Sequence, residues 1–251
     1  MDLGLNGRTV IVTGASGGIG REIARGYAAE GADVVLTYWN SRDDAETLAK
    51  EIGEHALVVP YELGDPASAE ALLSAALGWT GRVDVLVNNA LRVPGWRPTP
   101  DDSFENAPDD EWLQMLRHNI EGYIGLSRLV APVMRERRFG RLVHISSGLV
   151  DDGMIGAEYY TAAKAALHGF NRSAAFSLGR DGDILSNVVL PGLTTTARNE
   201  SLIGQMGHTY SDRAPIRRLL DASEVANAVV YLGSAANTGI TGQAISVTGG
   251  V

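Results

Sequence analysis

Short apolar runs alternate along this chain with stretches in which apolar positions recur every third or fourth residue. The runs are Val10–Thr13, Val34–Tyr38, Leu57–Tyr61, Val83–Val87, Leu142–Ile145, Ile184–Leu190 and Ala244–Val247. They are rich in β-branched and aliphatic residues and show little polar alternation, as strands covered on both faces of a parallel sheet do. Between them, Ile19, Ile23, Tyr27 and Ala28 share one helical stripe. Leu48 and Ile52 behave the same way, as do Ala71, Leu72 and Ala75. Trp112, Leu116, Tyr123 and Val130 mark a long helix, which Gly140-Arg141 is expected to stop.

This alternation predicts the α/β class: a single-domain, Rossmann-type, doubly wound parallel sheet of about seven strands, with helices on both faces and right-handed crossovers. No internal repeat, low-complexity tract or linker divides the chain, so residues 1–251 read as one domain. Two segments break the rhythm. Leu91–Pro108 carries Pro94, Pro98, Pro100 and Pro108 with Trp96, and cannot be a long regular helix. Leu193–Arg213 contains Gly204 and Gly207 and no clear strand. Both follow predicted strand C-termini, the edge where open α/β sheets take ligands, and are expected to wall a substrate pocket. Ordinary surface loops are the alternative. Further on, Asp221-Ala-Ser-Glu224 reads as an aspartate variant of a capping box.

Composition narrows the function more by exclusion. The net charge is −9, a poor match for a nucleic-acid partner. The densest basic cluster, Arg135, Arg137 and Arg138, reads as the solvated C-terminal end of a helix. Cysteine is absent, which removes disulfides and thiolate chemistry. The stretch from Met1 to Arg8 lacks the basic start and apolar run of a signal peptide, and no apolar run approaches a membrane span. A soluble cytoplasmic protein with no membrane partner is the expectation. His55, His118, His144, His168 and His208 are scattered without metal-ligand spacing, and Asp151-Asp152 reads as a solvated turn, so no metal is expected.

Two motifs carry chemistry. Gly14, Gly18 and Gly20 lie between the first predicted strand and the first predicted helix. Glycine lets the backbone turn sharply and approach a pyrophosphate, and the helix aims its N–H groups and positive dipole end at the anion. The second motif is Tyr160-Thr-Ala-Ala-Lys164, which puts a phenol and an ammonium one helical turn apart. Reduction of a carbonyl needs a proton donor whose pKa is brought down toward neutrality. A free tyrosine titrates near ~10, and an adjacent ammonium lowers that value by favouring the phenolate. Taken singly, such a pair is an ordinary solvated helix face. Tyr159 is a rival phenol without a lysine four residues on, expected to pack or to touch substrate.

Thr13–Gly20, Asn88-Asn89-Ala90, Ser147, Tyr160-x-x-x-Lys164, Pro191-Gly192 and Ile240-Thr-Gly-Gln243 stand in register over nearly the whole chain. In order and spacing they resemble the short-chain dehydrogenase/reductase family, above all its 3-oxoacyl-carrier-protein reductases and related ketoreductases. The resemblance implies an oxidoreductase in which Tyr160 is the acid/base and Lys164 tunes it and anchors a ribose. It further implies that Ser147, 13 residues before the tyrosine, polarises the carbonyl. Ser146 would then hold the strand end. Asn119, on the otherwise apolar stripe of the long helix, would hold a water in a proton relay, or else merely satisfy backbone. Cofactor contacts would come from Gly14, Ser16, Gly18, Ile19 and Gly20 in the cradle, and from Glu62-Leu63 at the adenine. Asn88, Asn89 and Ala90 would line the groove, and Pro191, Gly192 and Thr196 the nicotinamide side. Where the family usually has glycine after Asn-Asn-Ala, this chain has Leu91.

The resemblance also locates the choice of cofactor at the end of the second strand, where an acidic residue would bind a ribose 2′-OH. That place falls on Tyr38, followed by Asn40, Ser41 and Arg42. Ser41 and Arg42 are donors suited to a 2′-phosphate, although Asn40-Ser41 is also a helix cap by composition. Against this, Gly17 stands where many NADP-using members carry a basic residue. NADP(H) is expected over NAD(H). Substrate contacts are expected from Trp96, Met154, Tyr159, Met206 and Tyr210, which suit a partly apolar carbonyl compound, free or carrier-bound. A homotetramer is implied by the resemblance. The other functions weighed are NAD-dependent alcohol oxidation and a non-catalytic nucleotide-sensing protein of the same fold.

Overall fold

The computed structural model describes residues 2–93, 95, 96, 98, 99 and 101–251. Met1, Pro94 and Pro100, named above, lie outside the described residues.

The strands are β1 (Thr9–Val12), β2 (Asp33–Tyr38), β3 (Ala56–Pro60), β4 (Val85–Asn88), β5 (Phe139–Ile145), β6 (Asp183–Pro191), β7 (Thr194–Thr195), β8 (Leu220–Asp221) and β9 (Ala244–Val247). The helices are α1 (Gly18–Ala29), α2 (Arg42–Ile52), α3 (Pro66–Thr80), α4 (Asp109–Arg137), α5 (Leu149–Asp152), α6 (Glu158–Gly179), α7 (Glu200–Arg213) and α8 (Ala222–Leu232). Seven strands form one parallel sheet in the order β3-β2-β1-β4-β5-β6-β9. All seven predicted apolar runs lie in it; Ala244–Val247 matches β9 at both ends, and the others differ at one or both ends by at most three residues. The order reverses between β1 and β4, and the crevice there opens at the strands' carboxyl ends.

Strand alternation divides the core in two. Val10, Val12, Val34, Leu36, Val85 and Val87 face α1 and α8 with Ile23, Tyr27, Val225 and Val229. Ile11, Val35 and Leu86 face the opposite layer with Leu72, Tyr123, Leu126, Val130 and Leu167 of α3, α4 and α6. Successive side chains thus feed both layers, which is why the runs are continuously apolar.

Several local expectations change. The stop of α4 is Arg138 in the left-handed region at φ 53°, not Gly140. Gly140 lies inside β5, where a Cβ would come within 2.5 Å of Met134 Sδ. The basic cluster is partly engaged: Arg135 pairs with Asp181 at 2.6 Å, and Arg137 donates to Gly81 O at 2.9 Å. In α3 the buried stripe is Ala69, Leu72 and Ala76; of the predicted set only Leu72 belongs to it, while Ala71 is exposed and Ala75 half-buried, because this helix is apolar nearly all round. Residues 200–213 are helical, with Gly204 and Gly207 inside α7. Gly207 is buried, and its small size admits Ile203 and Leu219. At α8, the Asp221 N–H donates to Glu224 Oε2 at 3.0 Å, as the capping-box motif requires.

Candidate active site

The site is built where β1, β4 and β5 end. In the β1–α1 turn, Gly18 adopts φ +58°, a conformation that L side chains rarely take. Gly20 allows α1 to close on the strand: a Cβ there would lie 2.4 Å from Gly14 O and 2.5 Å from Asn89 Nδ2. Thr13 and Asn89 fix this turn to β4. The Thr13 hydroxyl accepts from the N–H groups of Asn89 and Ala90 at 2.8 and 2.9 Å, and Asn89 Nδ2 donates to Thr13 O at 2.9 Å. No acidic residue stands in the first turn of α1, so its positive end is left for an anion. These features fit the pyrophosphate of a dinucleotide.

Asn88 does not line the groove. It is fully buried, and its amide donates to Ser127 Oγ at 3.0 Å and contacts His144 Nδ1 at 3.1 Å. Leu91 is 46% exposed and is not among the residues with positive φ, so the missing glycine imposes no backbone strain.

Around the adenosine end, Tyr38 closes β2, and Ser41 precedes α2 without a side-chain cap bond. Arg42 pairs with Glu46 at 2.7 Å. Glu62 pairs with Arg92 at 2.6 Å, and the Arg92 guanidinium lies 4.4 Å over the Trp39 ring. Leu63 is buried beside it. Where the nicotinamide is expected, Pro191 O accepts from Gly148 N at 2.8 Å, and Gly192 N donates to Val247 O at 3.1 Å. The Thr196 hydroxyl donates to Asn199 Oδ1 at 3.0 Å.

The catalytic candidates gather at the carboxyl end of β5. Ser147 is nearly buried, and its hydroxyl lies at the Tyr160 phenol. Burial pushes the Tyr160 pKa up, and the Ser147 contact opposes that shift. The Trp96 indole stacks on Tyr160 at 4.7 Å and 13°, and its Nε1–H donates to Gly156 O at 2.7 Å. Trp96 thereby lies across the phenol. Tyr159 packs instead: its ring stacks on Trp112, and its hydroxyl donates to Phe104 O at 2.6 Å. Met154 and Met206 are half-buried. Ser146 ties β5 to α6, donating to Lys164 O at 3.2 Å.

Lys164 is fully buried, which brings its pKa down to about 7. Its ammonium donates to Tyr123 Oη at 3.1 Å and to Ile145 O at 2.8 Å. The Tyr123 hydroxyl in turn donates to Ala90 O at 2.8 Å. Asn119 spends its amide on Arg92 O and Met115 O, at 2.6 and 2.8 Å, while its Oδ1 accepts from Arg92 N at 3.2 Å. This satisfies backbone and holds the turn after β4, and Oδ1 keeps a second lone pair.

Two groups escaped the sequence reading. Tyr123 was legible only as part of an apolar stripe, though its place four residues after Asn119 puts a polar tip on the same helix face. Arg198 lies over the cradle, with Nη2 3.3 Å from Ser16 O, 3.4 Å from Ser41 Oγ and 3.1 Å from Asp44 Oδ2. No spacing in the sequence links it to that place. Among the described residues, no cluster of three His, Cys, Asp or Glu forms a metal site, and no helix is long and apolar enough to cross a membrane.

Fold, cradle and buried Ser-Tyr-Lys wall define a dinucleotide-dependent oxidoreductase. A family model described as enoyl-(acyl carrier protein) reductase matches residues 14–251. The 3-oxoacyl-[acyl-carrier-protein] reductase FabG of Escherichia coli (strain K12) is 35% identical, over 99% of each chain. An L-rhamnose 1-dehydrogenase (NAD(P)(+)) of Sphingomonas sp. (strain SKA58) is also 35% identical, over 98% of this chain and 97% of its own. A 7α-hydroxysteroid dehydrogenase solved with NADH and 7-oxo glycochenodeoxycholic acid superposes with a TM-score of 0.90 at 33% identity, covering 99% of this chain and 96% of its own. The chain belongs to the short-chain dehydrogenase/reductase family and is an NAD(P)-dependent oxidoreductase.

Proposed function

We propose that the protein reduces a ketone or 3-oxoacyl group to the alcohol, with NADPH as the hydride source. The observation that carries this reading is the meeting of Ser147 and Tyr160 at the end of β5, with Lys164 buried beneath them. The bound cofactor supplies the hydride to the carbonyl carbon. Ser147 donates its hydroxyl proton in a hydrogen bond to the carbonyl oxygen and stabilises the charge that develops there. Tyr160 transfers its phenolic proton to the developing alkoxide. The Lys164 ammonium, held by Tyr123 and Ile145 O, provides the positive charge that favours the resulting phenolate. Asn119 holds the β4 turn and offers its free lone pair to a relay water. Trp96 covers the phenol and excludes water.

The pocket favours a flat, partly apolar substrate. Trp96 already stacks in parallel on Tyr160, and Met154 and Met206 offer adaptable apolar surface. FabG relatives act on acyl-carrier-protein substrates, so a carrier-bound 3-oxoacyl group belongs to the same class. Assembly as a homotetramer through α4 and α6 is part of this reading. NAD-dependent alcohol oxidation is the second reading, favoured by the lack of a cation at Gly17.

The test pairs NADPH with cyclic ketones and 3-oxoacyl thioesters, and NAD with the corresponding alcohols, following nicotinamide absorbance. Ketone-dependent NADPH oxidation is expected. Turnover only with NAD and alcohols would reverse the assignment, and cofactor binding without any turnover would make the protein a nucleotide sensor.

A further inference from the structure

The turn that cradles the pyrophosphate contains no cation between Thr13 and Gly20. Gly17 does not owe its identity to its backbone, since φ −179° and ψ −178° are open to any residue. The obstacle to a side chain is Arg198. A Cβ on Gly17 would lie 2.4 Å from both Cζ and Nε of Arg198, and 2.8 Å from its Nη2. A side chain at position 17 and the Arg198 guanidinium are therefore alternatives for one space.

Arg198 follows β7, on the far side of the crevice from the cradle. Its Nη2 touches Ser16 O in the β1–α1 turn and Ser41 Oγ just beyond β2. A dinucleotide places its pyrophosphate at the first of these positions and the 2′ position of its adenosine ribose at the second. We infer that Arg198 is the cation that takes the 2′-phosphate of NADP(H), supplied by the substrate-side segment in place of a basic residue at 17. This rests on the reading of the preferred cofactor as NADP(H).

The surrounding charges agree. Of the other basic residues at this end, Arg42 is paired with Glu46, and Arg21 donates to Asp44 O at 3.0 Å. Asp44 holds Arg198 at 3.1 Å in the protein alone. A phosphate, with more charge and three acceptor oxygens, is a stronger partner for a planar guanidinium than one carboxylate. NADH has no such group and leaves Arg198 on Asp44. Binding of the phosphate also fixes the chain two residues beyond Thr196, so recognition at the adenosine end and ordering of the nicotinamide wall become one event.

The test is a fluorescence titration with NADPH and with NADH on the wild type, Arg198→Ala, Asp44→Asn, and Arg198→Ala combined with Gly17→Arg. In Arg198→Ala, NADPH affinity should fall by about ten- to a hundredfold and NADH affinity by less than about threefold, as expected for loss of a charge-assisted contact. Adding Gly17→Arg should restore most of the NADPH affinity. Asp44→Asn should bind NADPH at least as tightly as the wild type, whereas a merely structural Arg198–Asp44 tie would make it weaken like Arg198→Ala. Equal loss of both cofactors in Arg198→Ala, or no loss of NADPH, overturns the inference. The two readings fail separately. A wild type that prefers NADPH with Arg198→Ala unmoved leaves the NADP(H) reading intact and returns the phosphate to Arg42. A wild type that prefers NADH while Arg198→Ala still loses only NADPH overturns that reading and keeps the assignment of Arg198.

Discussion

At the β1 end of the groove the working groups are main-chain atoms, whereas at the β5 end they are side chains. The cradle depends on what is absent: a Cβ at Gly18 or Gly20, and an acid in the first turn of α1. The proposed catalytic wall depends on titratable groups drawn into the core, with Lys164 fully buried and its pKa brought down to about 7. The backbone site has no room for a Cβ at Gly20 but is indifferent to pH. A site of buried side chains accepts isosteric change structurally, yet its chemistry is lost with one functional group and follows proton activity.

Apart from loss of the Tyr160 phenol itself, the largest effect that sharpens this contrast is expected from Lys164→Met, which keeps the packing and removes the charge. Turnover should fall by at least about a hundredfold, the scale of a lost acid/base partner. The same variant tests the burial. The folded-state pKa of Lys164 is about 7 against 10.5 for an ordinary lysine, so between these values the unfolded chain holds a proton that the folded chain has released. Stability of the wild type should therefore rise with pH through that window, and the rise should be smaller in Lys164→Met, as read by urea midpoints across the range. Equal slopes would contradict the burial.

Gly20→Ala should break the other end. Its Cβ meets main-chain Gly14 O, which cannot swing aside, at a stability cost of about 1–3 kcal/mol. Titration should show NADPH and NADH weakened together with no change in the pH profile. A pH-dependent loss would erase the distinction between the two ends.

These sites were legible in the sequence to different degrees. The cradle could be read because backbone requirements leave a mark in residue identity: a turn needing positive φ and a close helix approach selects glycine at set spacing. The sheet could be read because burial on both faces leaves continuous apolar runs. Tyr160, Lys164 and Ser147 could be named through motif spacing, but their partners could not. Trp96 reaches Tyr160 across 64 positions, and Tyr123 reaches Lys164 across 41. Arg198 lies 182 residues from Ser16. Contacts that long in sequence leave no periodicity. Helix α7 was missed because glycines at 204 and 207 lower helix propensity, while burial of Gly207 against Leu219 is a tertiary effect.

A smaller effect is expected from Tyr123→Phe. Lys164 then keeps Ile145 O and loses the hydroxyl acceptor that favours its charged form. The activity limb governed by Lys164 should move to lower pH, with turnover reduced by about tenfold, on the scale of one hydrogen bond to a charged group. A pH–rate profile superposable on the wild type would remove Tyr123 from the wall. The smallest effect is expected from Leu91→Gly. Leu91 is exposed and free of left-handed strain, so the change should cost under about 1 kcal/mol, chiefly through the unfolded chain, with cofactor affinity unchanged. A gain in stability in thermal melts would reveal strain at this turn.

Tyr160 as the proposed proton donor of a carbonyl reductase is tested by Tyr160→Phe. NADPH binding and NADPH-linked ketone reduction should be measured on the same preparation. Turnover should fall by about a thousandfold or more, with the dissociation constant for NADPH within about threefold of the wild type. Ketone reduction at a rate near that of the wild type would contradict that role.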